Sequence, residues 1–386
     1  MDITIQPGFL TGCITAIPSK SQAHRLLICA AFADAPTTLL CPETNRDMEA
    51  TADCLRALGA EITRTPEGYH IVPVREVPSA ACLNCCESGS TLRFLLPVVG
   101  ALGVTATFHM EGRLPQRPLS PLWEEMERMG CSLSRPTANT LLCQGKLRPG
   151  TYAIAGNVSS QFITGLLFAF HLMDTPCTLN ITHKLESAPY IDMTKAVLEL
   201  FADHHSPGTV AVEGDWSNGA FFLAAQALGN PVTVWNLDPE SRQGDRAAAF
   251  WLPKLKEHCT ISAADIPDLV PILAVTAACN QGAVFTDIRR LRLKESDRVA
   301  SVIAMIEALG GRSEATEDAL TVHGTGLRGG TVSSCSDHRI AMSAAIAATV
   351  CRKPVTILGA EAVSKSYPRF WEEYARLGGT YEQHLR

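Results

Sequence analysis

What this 386-residue chain lacks already narrows its class. It has no apolar run of the roughly 20 residues needed to cross a bilayer. Its longest apolar stretches, residues 95–102 and 340–350, are too short or too interrupted by polar side chains. The start, Met1-Asp2-Ile3-Thr4-Ile5, carries neither a basic nor an apolar signal region, so a cytoplasmic location is expected. Charge is sparse at 19% of residues, and with 33 basic against 39 acidic side chains the net charge is −6. A nucleic-acid partner rewards a basic face that this balance does not supply. Any basic site must therefore be local and must bind something small.

Pro/Gly-rich linkers are also absent, so a hinge between domains has to be short. The 14 cysteines include one close cluster, Cys82, Cys85 and Cys86, with no second Cys/His pair at zinc spacing. No metal is expected on that ground. Cys29, Cys54, Cys279 and Cys351 sit among Ala and Leu as small core hydrophobes, and cytosolic thiols stay reduced. Phosphate-loop and dinucleotide fingerprints are missing as well, and no nucleotide cofactor is expected.

What is present is a repeat. With 46% hydrophobic residues and this length, two domains of roughly 150–200 residues are the natural division. Six times a short polar or Gly/Ser-bearing turn opens a run of small apolar residues: at 26–33, 92–102, 162–170, 220–228, 269–279 and 340–350. Runs that mix Ala with Leu, Ile and Phe and have no polar stripe predict helices buried on most sides. Between them lie amphipathic segments at 47–58, 121–129, 191–204, 245–258, 297–309 and 368–377. Four of these end in glycine, the residue that caps a helix in the left-handed conformation at least cost. Strands are expected at 60–65, 69–74, 105–110, 178–182, 231–236 and 355–358. The pattern predicts an α/β protein of two similar domains, each with three βαβαββ units. The expected boundaries are 15–212 for one domain and 1–14 plus 213–386 for the other. On periodicity alone, an unspecific α/β protein remains open.

Cations gather at the turns that open the buried helices: Lys20, Arg25, Arg93 and Arg339, with Arg113, Arg117, Lys294, Arg298 and Lys365 in loops. A helix N-terminus is itself an anion site, because its N–H groups are unpaired and its dipole end is positive. One such cation is ordinarily a solvated surface charge. Their recurrence at equivalent points of a repeat points to a polyanionic ligand, gripped bidentately by Arg and as a point charge by Lys.

At these residues the sequence resembles a known family. Ile17-Pro18-Ser19-Lys20-Ser21-Gln22-Ala23-His24-Arg25 is similar to the lysine signature of 5-enolpyruvylshikimate-3-phosphate synthases. Glu87-Ser88-Gly89-Ser90-Thr91-Leu92-Arg93 resembles their glycine loop, and Leu114-Pro115-Gln116-Arg117-Pro118 their arginine loop. Gly156-Asn157-Val158-Ser159-Ser160-Gln161, Ile266-Pro267-Asp268, Lys294-Glu295-Ser296-Asp297-Arg298, Asp337-His338-Arg339 and Ser364-Lys365-Ser366 follow in the family's order.

The resemblance implies an inside-out α/β barrel in each domain, with the active site in an interdomain cleft that closes on substrate. It implies transfer of the enolpyruvyl group of phosphoenolpyruvate to shikimate 3-phosphate by a monomeric enzyme. Lys20, Ser21, Arg25, Ser159, Ser160, Ser187, Asp268 and Lys294 would hold shikimate 3-phosphate. Lys20, Gly89, Arg117, Gln161, Arg298, Arg339 and Lys365 would hold phosphoenolpyruvate. Asp268 is the candidate base for the attacking hydroxyl. Glu295 and Lys20 are candidates for proton transfer at carbon and for assisting phosphate departure, their division open. Taken alone, Asp268 could equally cap a helix and Glu295 simply pair with Arg298. The family also implies competitive inhibition by glyphosate.

Two residues depart from the family pattern. Glu87 stands where Asn is usual and is expected to turn away from an anionic ligand or to pair with a cation. Arg290 replaces another common Asn and leaves one contact in doubt. The rival readings are a UDP-N-acetylglucosamine enolpyruvyl transferase, whose reactive loop cysteine is missing from 114–118, and a non-catalytic protein that binds phosphorylated metabolites.

Overall fold

The computed structural model describes residues 1–173 and 175–384. The chain forms two compact units, one of Met1–Ile17 with Glu213–Arg386 and one of Pro18–Val212.

Within Pro18–Val212 the helices run α1 (Lys20–Ala31), α2 (Arg46–Ala57), α3 (Gly89–Leu102), α4 (Leu122–Arg128), α5 (Ser160–His171) and α6 (Ala188–Leu200). The apolar runs become α1, α3 and α5, which are buried nearly all round. The strands around them alternate instead. In Cys131–Ser134 and Thr151–Ala155 every second side chain is buried and its neighbours face water. A sheet with one wet face must lie outside a helix that has none, so the helices form the inner layer of this unit.

Its sheets repeat one plan. In the first, Thr37–Leu40 pairs parallel with Thr209–Ala211 and antiparallel with Gly68–Val72, which in turn pairs with Glu61–Thr65. In the second, Ala80–Asn84 and Thr105–His109 are parallel, and Thr140–Gly145 with Cys131–Ser134 completes it antiparallel. Among the described residues the third holds the parallel pair Thr151–Ala155 and Thr178–Thr182 alone. Its hairpin is missing because the chain after α6 joins the first sheet.

The other unit follows the same plan with α7 (Trp216–Ala227), α8 (Ala248–Lys254), α9 (Val270–Ala278), α10 (Arg298–Ala308), α11 (His338–Ala348) and α12 (Phe370–Arg376). Asp2–Ile5 inserts between Val355–Leu358 and Tyr381–His384, antiparallel to both, and Gly12–Thr15 pairs with Val232–Trp235. The start of the chain thus closes sheets built from its far end. Helices α9 and α11 are buried throughout, and each unit has its own apolar core.

Several boundaries differ from the sequence reading. Helices expected from residues 26, 92 and 162 begin at 20, 89 and 160, because the polar turn is itself the first helical turn. Ser19, Ser88 and Ser159 cap these helices by accepting the N–H of Gln22, Thr91 and Gln161. The segment expected to be one helix over 245–258 is a 3₁₀ turn, Gly244–Ala247, followed by the short α8, whose final turn contains Pro253. The segment expected over 191–204 is α6 followed by a separate turn, Ala202–His204, in which Asp203 has φ +51°. The glycine stops were legible: Gly59 follows α2 at φ +105° and Gly310 follows α10 at φ +81°.

Candidate active site

Each unit carries its own set of the expected residues. In Pro18–Val212 they lie on the capped ends of α1, α3 and α5. Lys20 is the first residue of α1, and its Nζ sits 2.9 Å from Oδ2 of Asp47, on the first turn of α2. Ser21 follows it and accepts Nη1 of Arg25 through its carbonyl at 2.6 Å. Arg25 is buried, yet the hydrogen bonds holding its guanidinium are all to neutral groups. Nε donates to Thr194 Oγ1 at 2.8 Å and Nη2 to the Tyr190 carbonyl at 3.0 Å, while the Phe94 ring lies 5.1 Å from Cζ. Burial draws its pKa down to about 10. Among the described residues no carboxylate pairs with this cation, as an anion receptor requires.

Gly89 opens α3. A Cβ built there would lie 2.6 Å from Nη1 of Arg117 and 3.0 Å from Nη1 of Arg93. The glycine is what lets two guanidinium groups approach the helix end. Arg93 is fixed by donating from Nη1 to Gln161 Oε1 at 2.8 Å and from Nη2 to the Pro118 carbonyl at 3.1 Å. Gln161 in turn donates from Nε2 to Ser90 at 2.9 Å. Gly89, Arg93, Arg117 and Gln161 therefore form one connected group. A surface cavity of about 540 Å³ reaches Arg117 from the side of Trp123 and Arg135, and its lining includes neither Gly89 nor Gln161.

Ser159 and Ser160 open α5, the second of them buried. Ser187 caps α6 with φ +58°, a conformation a non-glycine residue adopts at a cost of about 1–3 kcal/mol. Glu87 does not project freely: its carboxyl fills the space that a side chain at Gly112 would take.

The second set centres on Asp268. Its Oδ1 lies 2.7 Å from Arg298 Nη1 and 3.3 Å from Lys294 Nζ, and its Oδ2 lies 3.1 Å from Arg339 Nη2. Burial pushes this carboxyl up, but Arg339, Lys294 and Arg298 together outweigh it and hold the pKa well below the usual range. Asp268 caps no helix, since the cap of α9 is Leu269, without a side-chain bond. Burial likewise brings Lys294 down to about 8, against the pull of Asp268.

Arg298 is 0% exposed and gives its guanidinium to three carboxylates. Besides Asp268 these are Glu295 Oε2 at 2.7 Å and Asp337 Oδ2 at 3.0 Å. The Glu295–Arg298 pair is the i,i+3 contact that the spacing allowed. Arg339 is buried in the first turn of α11, where Asp337 caps the helix by accepting Arg339 N–H at 3.0 Å. Lys365 ends the 3₁₀ turn Ala360–Lys365. Arg290, in the turn Arg289–Leu293, lies close enough to Lys294 to contribute to lowering its pKa.

Three residues were given no role in the site by the sequence. Asp47 holds Lys20, Asp337 holds Arg298, and Asp245 is a fully buried carboxyl that accepts the Ser217 hydroxyl. Asp337 had a signal, since an Asp just before an apolar run is an N-cap. Asp47 and Asp245 read only as helix-start acids. Among the described residues no group of three or more His, Cys, Asp or Glu side chains is arranged to hold a metal ion.

Two α/β units with buried helices inside, each presenting cations at helix ends, define the fold class of the enolpyruvyl transferases. The structure of EPSP synthase from Acinetobacter baumannii matches with a TM-score of 0.79 at 22% identity, covering 99% of this chain and 100% of that one. The enolpyruvyl transferase NikO from Streptomyces tendae matches with a TM-score of 0.75 at 15% identity, covering 99% and 98%. The model of the EPSP synthase (3-phosphoshikimate 1-carboxyvinyltransferase) family matches residues 5–374, and the chain belongs to that family. The 3-phosphoshikimate 1-carboxyvinyltransferase of Clostridium kluyveri is 35% identical over 418 residues, covering 99% of this chain and 98% of its own. That of Clostridium acetobutylicum is 35% identical over 416 residues, covering 98% and 97%.

Proposed function

We propose that this chain transfers the enolpyruvyl (carboxyvinyl) group of phosphoenolpyruvate to the 5-hydroxyl of shikimate 3-phosphate and releases phosphate. Full-length family membership supports the activity. In the geometry, the observation that carries the reading is the convergence of Lys294, Arg298 and Arg339 on Asp268. Both substrates bear a phosphate and a carboxylate, and desolvating them calls for cations already in place.

On this reading Lys20, Ser21, Arg25, Ser159, Ser160, Ser187, Asp268 and Lys294 hold shikimate 3-phosphate. Lys20, Gly89, Arg117, Gln161, Arg298, Arg339 and Lys365 hold phosphoenolpyruvate. The 5-oxygen attacks C2 of phosphoenolpyruvate and loses its proton, while C3 gains one. Phosphate then leaves C2, and C3 gives a proton back to restore the double bond. Asp268 takes the hydroxyl proton. Glu295 and Lys20 handle the proton at C3 and the charge on the departing phosphate.

Asp268 is a weak base while three cations face it. Substrate anions that compete for Lys294 and Arg339 raise its basicity, so the base strengthens only when both ligands are bound. The proposed location is the cytoplasm and the proposed working form a monomer. No helix among the described residues is long and apolar enough to cross a membrane.

The test is phosphate release from phosphoenolpyruvate with shikimate 3-phosphate, with UDP-N-acetylglucosamine, and with no acceptor. Release with shikimate 3-phosphate alone supports the reading. Release with the nucleotide sugar in its place contradicts it.

A further inference from the structure

His24 lies outside the roles proposed above, yet it is 0% exposed on α1, one turn after Lys20. Its Nδ1 is 2.7 Å from Thr51 Oγ1, Thr51 Oγ1 is 2.7 Å from Thr91 Oγ1, and Thr91 Oγ1 is 2.7 Å from Ser88 Oγ. All four side chains are buried. They join α1, α2 and the cap of α3, the helix whose first residue is Gly89.

A hydroxyl has one proton, and this fixes the direction of the chain. Thr91 donates to Ser88 Oγ and leans the same proton toward the Asp47 carbonyl at 3.5 Å. It has none left for Thr51, so Thr51 donates to Thr91. Thr51 therefore has none for His24, and the imidazole must donate from Nδ1. Its Nε2 is buried with no hydrogen-bond partner, which suits a bare lone pair. Burial pushes the ring pKa down to about 3, so the ring is neutral and a single tautomer has to satisfy the chain.

We propose that His24, held as the neutral Nδ1–H tautomer, starts a one-way hydrogen-bond relay through Thr51 and Thr91 to Ser88. As a positioning residue, it fixes the glycine loop that receives phosphoenolpyruvate. The relay ends on Ser88 Oγ, which accepts both the Thr91 hydroxyl and the Thr91 N–H at 3.2 Å. It thereby sets the first turn of α3, where Gly89 meets Arg117 and Arg93. It also passes the Asp47 backbone, whose carboxylate holds Lys20. The ligand assignment rests on the function proposed above; the relay does not.

Two variants of the full chain separate these points. His24→Asn keeps an N–H donor at the δ position, and His24→Leu removes it without adding polarity. Melting temperature serves as the folding control. In ¹⁵N-histidine-labelled wild type, His24 should show the Nδ1–H tautomer, unchanged between pH 5 and 9. The Gly89 amide resonance should shift in His24→Leu and return toward wild type in His24→Asn. KM for phosphoenolpyruvate should rise about tenfold in His24→Leu and fall back to within about threefold in His24→Asn, with KM for shikimate 3-phosphate steady.

An Nε2–H tautomer, or a Gly89 amide indifferent to His24→Leu, overturns the relay. Equal rises in both KM values overturn its assignment to the phosphoenolpyruvate side. A wild type that turns over neither substrate sinks the proposed function, while the tautomer and amide measurements still decide the relay.

Discussion

A Cβ at Gly89 would lie 2.6 Å from Nη1 of Arg117, so the helix end and the guanidinium occupy space that only glycine leaves open. The clash in Gly89→Ala falls on the far ends of two long side chains, and the protein should fold with stability within about 1 kcal/mol of wild type. What moves is the guanidinium. A displaced charge-assisted contact is worth about 1.5–3 kcal/mol, which predicts a loss of roughly 10–100-fold in kcat/KM for phosphoenolpyruvate. Glyphosate inhibition should weaken further than substrate binding, because the longer ligand has less room. Inhibition constants and KM values for wild type and Gly89→Ala test this, and equal losses would refute the steric argument.

Glu87 bears on the same ligands through charge. Glu87→Asn removes a carboxylate from the glycine loop, where its carboxyl now fills the space beside Gly112. Competitive inhibition by glyphosate should tighten in this variant. An unchanged inhibition constant would show that the charge is already compensated.

Lys294 should govern the alkaline limb of substrate binding. Its pKa is lowered to about 8, so in the free enzyme it loses charge as pH rises through 8 and keeps it below. A phosphate ligand favours the charged form. KM for shikimate 3-phosphate should therefore rise about tenfold per unit above that point. In Lys294→Arg, which stays protonated, this limb should flatten. A limb identical in both proteins would assign it elsewhere.

Asp245 predicts a stability effect of known sign. Burial and the nearby Asp268 raise its pKa to about 6, against the pull of Arg339. A carboxyl raised in the folded state is favourable below its unfolded pKa, and that contribution disappears as pH rises through 6. Asp245→Asn keeps an acceptor for Ser217 and removes the buried charge. It should unfold at higher denaturant than wild type at pH 8, by roughly 3 kcal/mol at most, and match wild type near pH 4. Equal midpoints at pH 8 would mean that the charge is compensated.

The legible parts of this protein were those written in local pattern. Apolar runs without a polar stripe announced α3, α5, α9 and α11, and the glycines after α2 and α10 announced their ends. Helix starts were misread by several residues because Ser19, Ser88 and Ser159 look like turn residues until their side chains are seen bound to helix N–H groups. Family motifs brought Asp268, Lys294 and Arg339 to attention, but not that all three meet. Asp47 and Asp337 escaped because their value lies in partners 27 and 39 residues away, Lys20 and Arg298. No spacing rule reports such distances.

Lys20→Ala and Asp268→Ala address the chemical roles. Each removes one partner of an ion pair, leaving Asp47 without Lys20, or Lys294 and Arg339 without Asp268. Both proteins should fold, with lower melting temperatures, and lose nearly all turnover. Retention of more than about a tenth of wild-type kcat, equivalent to about 1.4 kcal/mol of barrier, would remove that residue from the mechanism.

The most direct measurement follows the transferred carbons themselves. Phosphoenolpyruvate labelled with ¹³C at C2 is incubated with shikimate 3-phosphate and enzyme, and the product is read by ¹³C and ³¹P NMR. The account predicts a new enol ether carbon attached to the 5-oxygen of shikimate 3-phosphate, with inorganic phosphate appearing in equal amount. Label recovered only as phosphoenolpyruvate or pyruvate, with shikimate 3-phosphate unchanged, would contradict it.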